Sequence, residues 1–411
     1  MAQMNTSQTR DIAYISKIDK SISFIIVFQI TALLVKNMFV TTLHFAANYN
    51  SYLNQLMYLL MGAIYFKFIF SYGFKLKMIT VFILLTCLIF WLVSYVFNSS
   101  LFQYSYLRSA VVVFLVYCIP LLVFIPLLQN PDILMDMLYR YSRFSAVMAI
   151  LCWVLVMTGM PTVDNYSMSY GKAAVVPCVV LFIQYLESKR KTDLFLFIGC
   201  TVAIITLGSR WPLMCIAAAI SYGVIRYLVR RNKKKIFMIV LLLVLVIGYQ
   251  YYSEHIIALI LSVIANIGVN SRTINLLVSG QIAYSSSRTA IYDTLILRLK
   301  ESPLIGFGAG GAYIALNDEL AHNFFLDSAA NFGYPLAILI ISGSAFLTIY
   351  HFLESQFSSY RELIIIYACL FWPVVTVSQS FWSSDKYWML ISLFILGHYM
   401  KKNMNGIGRT T

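Results

Sequence analysis

The chain has 411 residues, of which 60% are hydrophobic and only 11% charged, with 16% aromatic and a mean hydropathy of +0.79. Soluble domains lie nearer half apolar and a quarter charged, so a soluble enzyme, a disulfide-stapled secreted scaffold and a disordered chain are excluded. Thirty Lys and Arg against 16 Asp and Glu give a net charge of +14, which in a membrane chain reports the orientation of its loops and not a nucleic-acid partner.

A helix crossing about 30 Å of hydrocarbon needs roughly 20 apolar residues. In chain order such stretches fall at 21–41, 52–73, 78–97, 109–128, 144–160, 173–187, 194–209, 212–229, 236–252, 323–350, 363–382 and 387–400. The predicted fold class is an all-α polytopic membrane protein of about 12 transmembrane helices. Residues 1–252 carry spans one to nine, 253–322 form a large folded extracytoplasmic loop with short helices, and 323–411 carry spans ten to twelve and a tail. The first apolar run follows a polar, charged segment and has no small-residue cleavage site after it, so no cleavable signal peptide is expected.

Alternate connections differ in charge. One set holds Arg10, Lys17 and Lys20, then Lys75 and Lys77, Arg140 and Arg143, the Lys189–Lys191 run, the Arg230–Lys235 run, Arg361, and Lys401, Lys402 and Arg409. These are 19 basic residues; the other short connections hold four, Arg108, Lys172, Arg210 and Lys386. Basic residues collect in cytoplasmic loops, so both termini are expected in the cytoplasm and the long loop outside. Lys36, Lys67 and Arg226 fall within spans near their ends and are expected to reach the headgroups. Pro120, Pro126, Pro177, Pro335 and Pro373 also fall within spans, where freed carbonyls must find other partners. The seven cysteines lie in apolar runs without metal or disulfide spacing.

The long loop opens with an apolar stretch, 255–261, suited to an interfacial or re-entrant helix. Residues 288–300 have helical periodicity, with Ile291, Leu295 and Leu299 on one face, Ser285, Ser286 and Ser287 as cap candidates and Pro303 as a stop. Gly306-Phe307-Gly308-Ala309-Gly310-Gly311 is formally GxGxxG, but a dinucleotide fold needs a βαβ unit that an external membrane loop does not offer. A tight turn whose amides approach a phosphate or a headgroup is the better expectation. Asp318-Glu319 reads as a solvated acidic pair.

Three residues stand out for chemistry. Arg210 closes Leu207-Gly208-Ser209-Arg210-Trp211-Pro212 between spans seven and eight; it suits an anion, or a lipid phosphate at the outer leaflet. Arg288 begins the loop helix, where free amides and the dipole add to an anion-attracting environment. His322 opens span ten and can move a proton near neutral pH, or simply cap a helix end. No HExxH, P-loop or GxSxG is present, so ATP hydrolysis is excluded and neither metal nor cofactor is expected. Trp382, Trp388, Tyr313 and Tyr334 suit an interfacial belt or, less often, a surface on which sugars stack.

The order Gly208-Ser209-Arg210, Ser286-Ser287-Arg288-Thr289-Ala290-Ile291-Tyr292, Pro303-Leu304-Ile305-Gly306-Phe307-Gly308, and Ala321-His322-Asn323-Phe324-Phe325-Leu326 followed by Phe332-Gly333-Tyr334 resembles the bacterial O-antigen ligase and polymerase superfamily. The likeness runs from about Leu207 to Leu339; Tyr292 stands where many relatives have tryptophan. It implies a metal-independent inner-membrane glycosyltransferase, active at the periplasmic face on a glycan carried by undecaprenyl diphosphate. Arg210 and Arg288 would bind the diphosphate and His322 would be catalytic, with Tyr292, Gly308 and Asn323 lining the substrate site. Membrane lipid, and a chain-length regulator and flippase of the same pathway, are the implied partners. A polymerase joining lipid-linked repeat units is the leading expectation, a ligase transferring the polymer to lipid A-core the second. A twelve-span transporter or flippase is the reading of another class; it expects two similar halves around a midplane site.

Overall fold

A computed structural model describes residues 6–42, 50–73, 75–99, 101–157, 168–207, 210–230, 288–355, 358–376 and 380–407. The expected span nine, the helix at 255–261 and the serine cap candidates lie outside the described residues. Among those described the chain is helical and contains no strand. In chain order the helices are α1 (Thr6–Thr42), α2 (Asn50–Tyr72), α3 (Met78–Phe97), α4 (Ser105–Leu127), α5 (Pro131–Met157), α6 (Met168–Ser188) and α7 (Lys191–Leu207). They continue as α8 (Arg210–Arg230), α9 (Arg288–Leu299), α10 (Gly311–Ala315), α11 (Phe324–Phe332), α12 (Tyr334–Glu354), α13 (Ser358–Phe371) and α14 (Asp385–Ile407). Five are long and apolar enough to cross a membrane: most of α2, α3, α4, most of α6, and α12.

Two compact units divide the chain. The second unit comprises Leu33–Ser51 and Tyr139–Ser285. Its helices meet through small residues, with Ala174, Cys178, Cys200, Ala203, Cys215 and Ala219 all fully buried; small side chains let membrane helices approach closely. Arg143 grips the buried Asp193 with two hydrogen bonds, 2.7 Å from Nε and 3.1 Å from Nη2. Arg226 pairs with Glu187 across α6 and α8.

The first unit comprises Met1–Ala32, Tyr52–Leu138 and Ser286–Thr411. Here two prolines explain the course of α4. Pro120 cannot bond back to the carbonyl of Val116, and the helix passes through a π turn over Phe114–Cys118. The hydroxyl of Tyr65 on α2 donates to that Val116 carbonyl at 2.9 Å. Pro126 likewise frees the carbonyl of Leu122, which accepts from Thr80 Oγ1 of α3 at 3.1 Å. Both freed groups are satisfied by neighbouring helices, as a spanning segment requires.

Two predicted spans differ from their apolar runs. The run 323–350 is two helices, α11 and α12, broken at Gly333 (φ 82°). A side chain at Gly333 would collide with the Leu304 carbonyl, and Pro335 then starts α12. At nine residues, α11 is about 14 Å long and too short to cross. The run 363–382 stays helical only to Phe371, tightens into a 3-10 turn at Trp372–Val374 around Pro373, and leaves the helix. Ser380, Phe381 and Trp382 hydrogen-bond Asp327 and Asn331 of α11.

Candidate active site

The site is assembled in the first unit from α9, the glycine turn, α11 and the segment after α13. Helix α9 forms as its periodicity predicts: Leu295 and Leu299 are fully buried, and Ile291 packs on the same cluster with Ala312, Leu326 and Ala330. Burying that face fixes the opposite end of α9, where Arg288 is half-buried and Tyr292 follows one turn later. The Tyr292 hydroxyl lies 3.3 Å from the main-chain carbonyl of His322 and 3.4 Å from that of Thr376, so its one proton is shared between two loops. Burial raises the Tyr292 phenol above its ordinary value, and the charge of Arg288 opposes the rise.

His322 is half-buried and has φ 49°, a left-handed backbone that a histidine seldom adopts. The next residues hold it there. Asn323 caps α11 by accepting from the Leu326 amide at 3.1 Å, and the Phe324 amide donates to the Val375 carbonyl at 2.7 Å. The capping role that the sequence leaves open for His322 is filled by Asn323.

The glycine run is a turn, with φ 67°, 84° and 75° at Gly306, Gly308 and Gly310. Its amides are largely committed inside the protein. Phe307 N donates to the Ala330 carbonyl at 2.7 Å, Ala309 N to Ser94 Oγ at 2.7 Å and Gly310 N to Asn331 Oδ1 at 2.7 Å. A Cβ at Gly308 would lie 2.8 Å from Ser94 Oγ. Gly308 therefore seats the loop on α3, a packing role in place of the expected open phosphate cradle.

Two side chains on one face of α11 lock the remaining pieces. Asn331 is fully buried; its Oδ1 also accepts from Trp382 Nε1 at 2.9 Å, and its Nδ2 donates to the Asp327 carbonyl at 2.6 Å. Asp327 accepts from the Phe381 amide at 2.7 Å and Ser380 Oγ at 3.1 Å. Burial drives its pKa up to about 6, partly offset by those two donors. Tyr313 lies 3.4 Å from Ser380 Oγ. Burial also pushes the Tyr313 phenol up.

Asp318 does more than solvate the loop. Its carboxylate accepts from the Ser105 and Tyr106 amides at 2.8 and 2.9 Å and from Ser105 Oγ at 2.7 Å, capping α4 from more than 200 residues away. Its slight burial would raise the pKa, but these hydrogen bonds dominate and lower it.

The structure thus brings Arg288, Tyr292, His322 and Asn323 into one neighbourhood, with Gly308 in the same unit. Arg210 opens α8 in the other unit. The aromatic expectations change: Trp382, Trp388 and Tyr313 are buried. Trp382 packs among Phe90, Trp91, Phe114, Phe332 and Phe381, so these rings form a core and neither a belt nor a sugar platform. Lys386, placed among outside cations, is buried and bonds both Asp385 oxygens at 2.7 Å. The sequence analysis missed Asn331, Ser380 and the cap by Asp318. Asp327 and Asn331 at i and i+4 on a short capped helix were the available signal. Among the described residues no three or more His, Cys, Asp or Glu side chains are arranged to hold a metal ion.

The apolar helices define a helical membrane protein. The family model described as O-antigen ligase matches residues 194–341, so this stretch of the chain is similar to that family. Comparison with curated proteins and with solved structures gives no match.

Proposed function

We propose that this protein is a polysaccharide polymerase at the outer face of the bacterial cytoplasmic membrane, with twelve spans and both termini inside. It transfers a growing glycan from undecaprenyl diphosphate to the end of another lipid-linked repeat unit. The observation that carries this reading is His322, in a left-handed conformation with its carbonyl 3.3 Å from the hydroxyl of Tyr292, one turn along the helix that Arg288 begins.

The chemistry suits those residues. An acceptor hydroxyl attacks the anomeric carbon, and the bond from that carbon to the diphosphate oxygen breaks. The electron pair leaves with the diphosphate, while the hydroxyl proton passes to the His322 imidazole. Arg288 neutralises the departing charge, a task for a fixed, always-charged fork; Arg210 is a second diphosphate-binding arginine on the family resemblance alone. Preorganised donors of this kind contribute roughly 3–4 kcal/mol to a barrier. Tyr292 and Asn323 set the position of His322, and Gly308 seats the glycine turn on α3. The diphosphate is already a good leaving group, so the step needs no ATP, and this mechanism assigns no role to a metal.

A second reading, the ligase that moves finished polymer to lipid A-core, is favoured by the description of the matching family. Deleting the gene and separating surface and lipid-linked glycans on a gel distinguishes the two. Loss of the ladder with single-repeat caps retained is expected for the polymerase. Bare core with long polymer on the carrier lipid would establish the ligase, and an unchanged ladder would remove both.

A further inference from the structure

Helix α12 starts beside the site, where the Tyr334 amide donates to the Pro303 carbonyl at 2.8 Å, and runs 21 residues away from it, about 30 Å. At its far end the first unit has a half-open pocket of about 490 Å³, within the range that holds a small ligand. One wall is apolar, from Ile79 and Ile83 on α3, Leu347 on α12 and Ile391 on α14. The other carries His351, Glu354, Tyr360, His398 and Lys401.

The polar wall has defined vacancies for hydrogen bonds. Tyr360 donates its one proton to the Leu393 carbonyl at 2.9 Å, so His351 Nδ1, 3.0 Å away, must be the donor of that pair. By this network the neutral imidazole keeps Nε2 as an acceptor. Lys401 gives two of its three protons to Tyr350 Oη and Glu354 Oε2, each at 3.0 Å, and keeps one. Gly397 keeps the floor open: a Cβ there would strike the Tyr360 hydroxyl and lie 2.7 Å from His351 Nδ1. Lys401 is the one Lys or Arg of the lining and Glu354, 3.0 Å from it, the one carboxylate.

We infer that this cavity binds an anionic phospholipid with a hydroxylated headgroup, of the phosphatidylglycerol type. The phosphate meets Lys401, the headgroup hydroxyl donates to His351 Nε2, and an acyl chain follows Ile79, Ile83, Leu347 and Ile391. A free phosphate would leave that apolar wall unused. The site is separate from the glycan-transfer centre and does not depend on the function proposed for it.

The test is lipid retention by the purified full-length protein in native mass spectrometry, after exposure to phosphatidylglycerol, phosphatidic acid, phosphatidylcholine or inorganic phosphate. Phosphatidylglycerol is expected to be retained in preference to the other lipids. Lys401→Gln should weaken it about fivefold, the effect of one cation near a headgroup. Lys401 is 53% exposed, so this change leaves the fold intact. Leu347→Trp, which fills the apolar wall and keeps the cation, should also reduce retention. Equal retention of phosphatidylcholine would overturn the proposal, as would undiminished binding in both variants. Phosphatidic acid binding as well as phosphatidylglycerol would remove the His351 contact. Displacement of the lipid by inorganic phosphate would make this a soluble-anion site.

Discussion

The hydroxyl of Tyr292 lies 3.3 Å from the main-chain carbonyl of His322, joining the second turn of α9 to a histidine 30 residues later. Arg288 lies one turn before Tyr292 on the same helix. A single side chain therefore sets the register between the proposed anion-binding arginine and the proposed base. Tyr292→Phe keeps the ring and its packing but releases two carbonyls, a change of about 0.5–1.5 kcal/mol. Polymer formation in membranes should fall by about two- to tenfold at unchanged protein level, and full activity would mean that the bridge does not position the site.

His322→Ala should reduce glycan transfer by about 10² to 10⁴, the usual contribution of a general base. His398→Ala, at the far end of the first unit, should be tolerated in the same assay. Equal tolerance of both would make His322 a structural turn residue. Arg288→Ala and Arg210→Ala should abolish product while the protein remains in the membrane, and activity in Arg288→Lys should stay low because an ammonium cannot grip two oxygens in the plane of a fork.

Asp318 caps α4 through two amides and a hydroxyl. Asp318→Ala should lower stability by about 0.5–2 kcal/mol, the range for losing a capping side chain. Its pKa is lowered in the folded state, so the contribution is present above the unfolded carboxylate value and lost as pH falls through the folded one. Thermal unfolding followed across acid pH should show the wild type converging on the variant as pH drops.

Asp327 shifts in the opposite direction. Its folded pKa is raised to about 6, so ionisation opposes folding: the penalty is absent below the unfolded value and complete above about pH 6. The unfolding temperature should decline as pH rises through this window. Asp327→Asn can keep both bonds to Ser380 and Phe381 on its amide oxygen, since both fall on one carboxylate oxygen. That variant should be folded and lack the decline, and a decline that persists in it would place the titration elsewhere.

Much of this was legible in the sequence because its physical cause is local. Hydropathy locates the apolar helices, down to the bounds of α3, because a run of apolar residues must bury its backbone in helix to enter lipid. The face of α9 follows from the spacing of Ile291, Leu295 and Leu299. The glycines of the 306–311 turn mark left-handed backbone, and the prolines of α4 mark carbonyls in need of partners.

What the sequence determined by itself is where helices form and which residues have the chemistry. Their partners were decided by the tertiary structure, because each partner lies far away along the chain. Tyr65 answers the carbonyl freed by Pro120, Ser94 receives the amide of Ala309, and Asp318 caps a helix that begins at Ser105. Apolarity could not distinguish a span from a buried helix either: α11 is apolar because it packs under α9 and the glycine turn. Gly333 ends α11 because a side chain there would meet the Leu304 carbonyl, a contact that exists only once the loop has folded back.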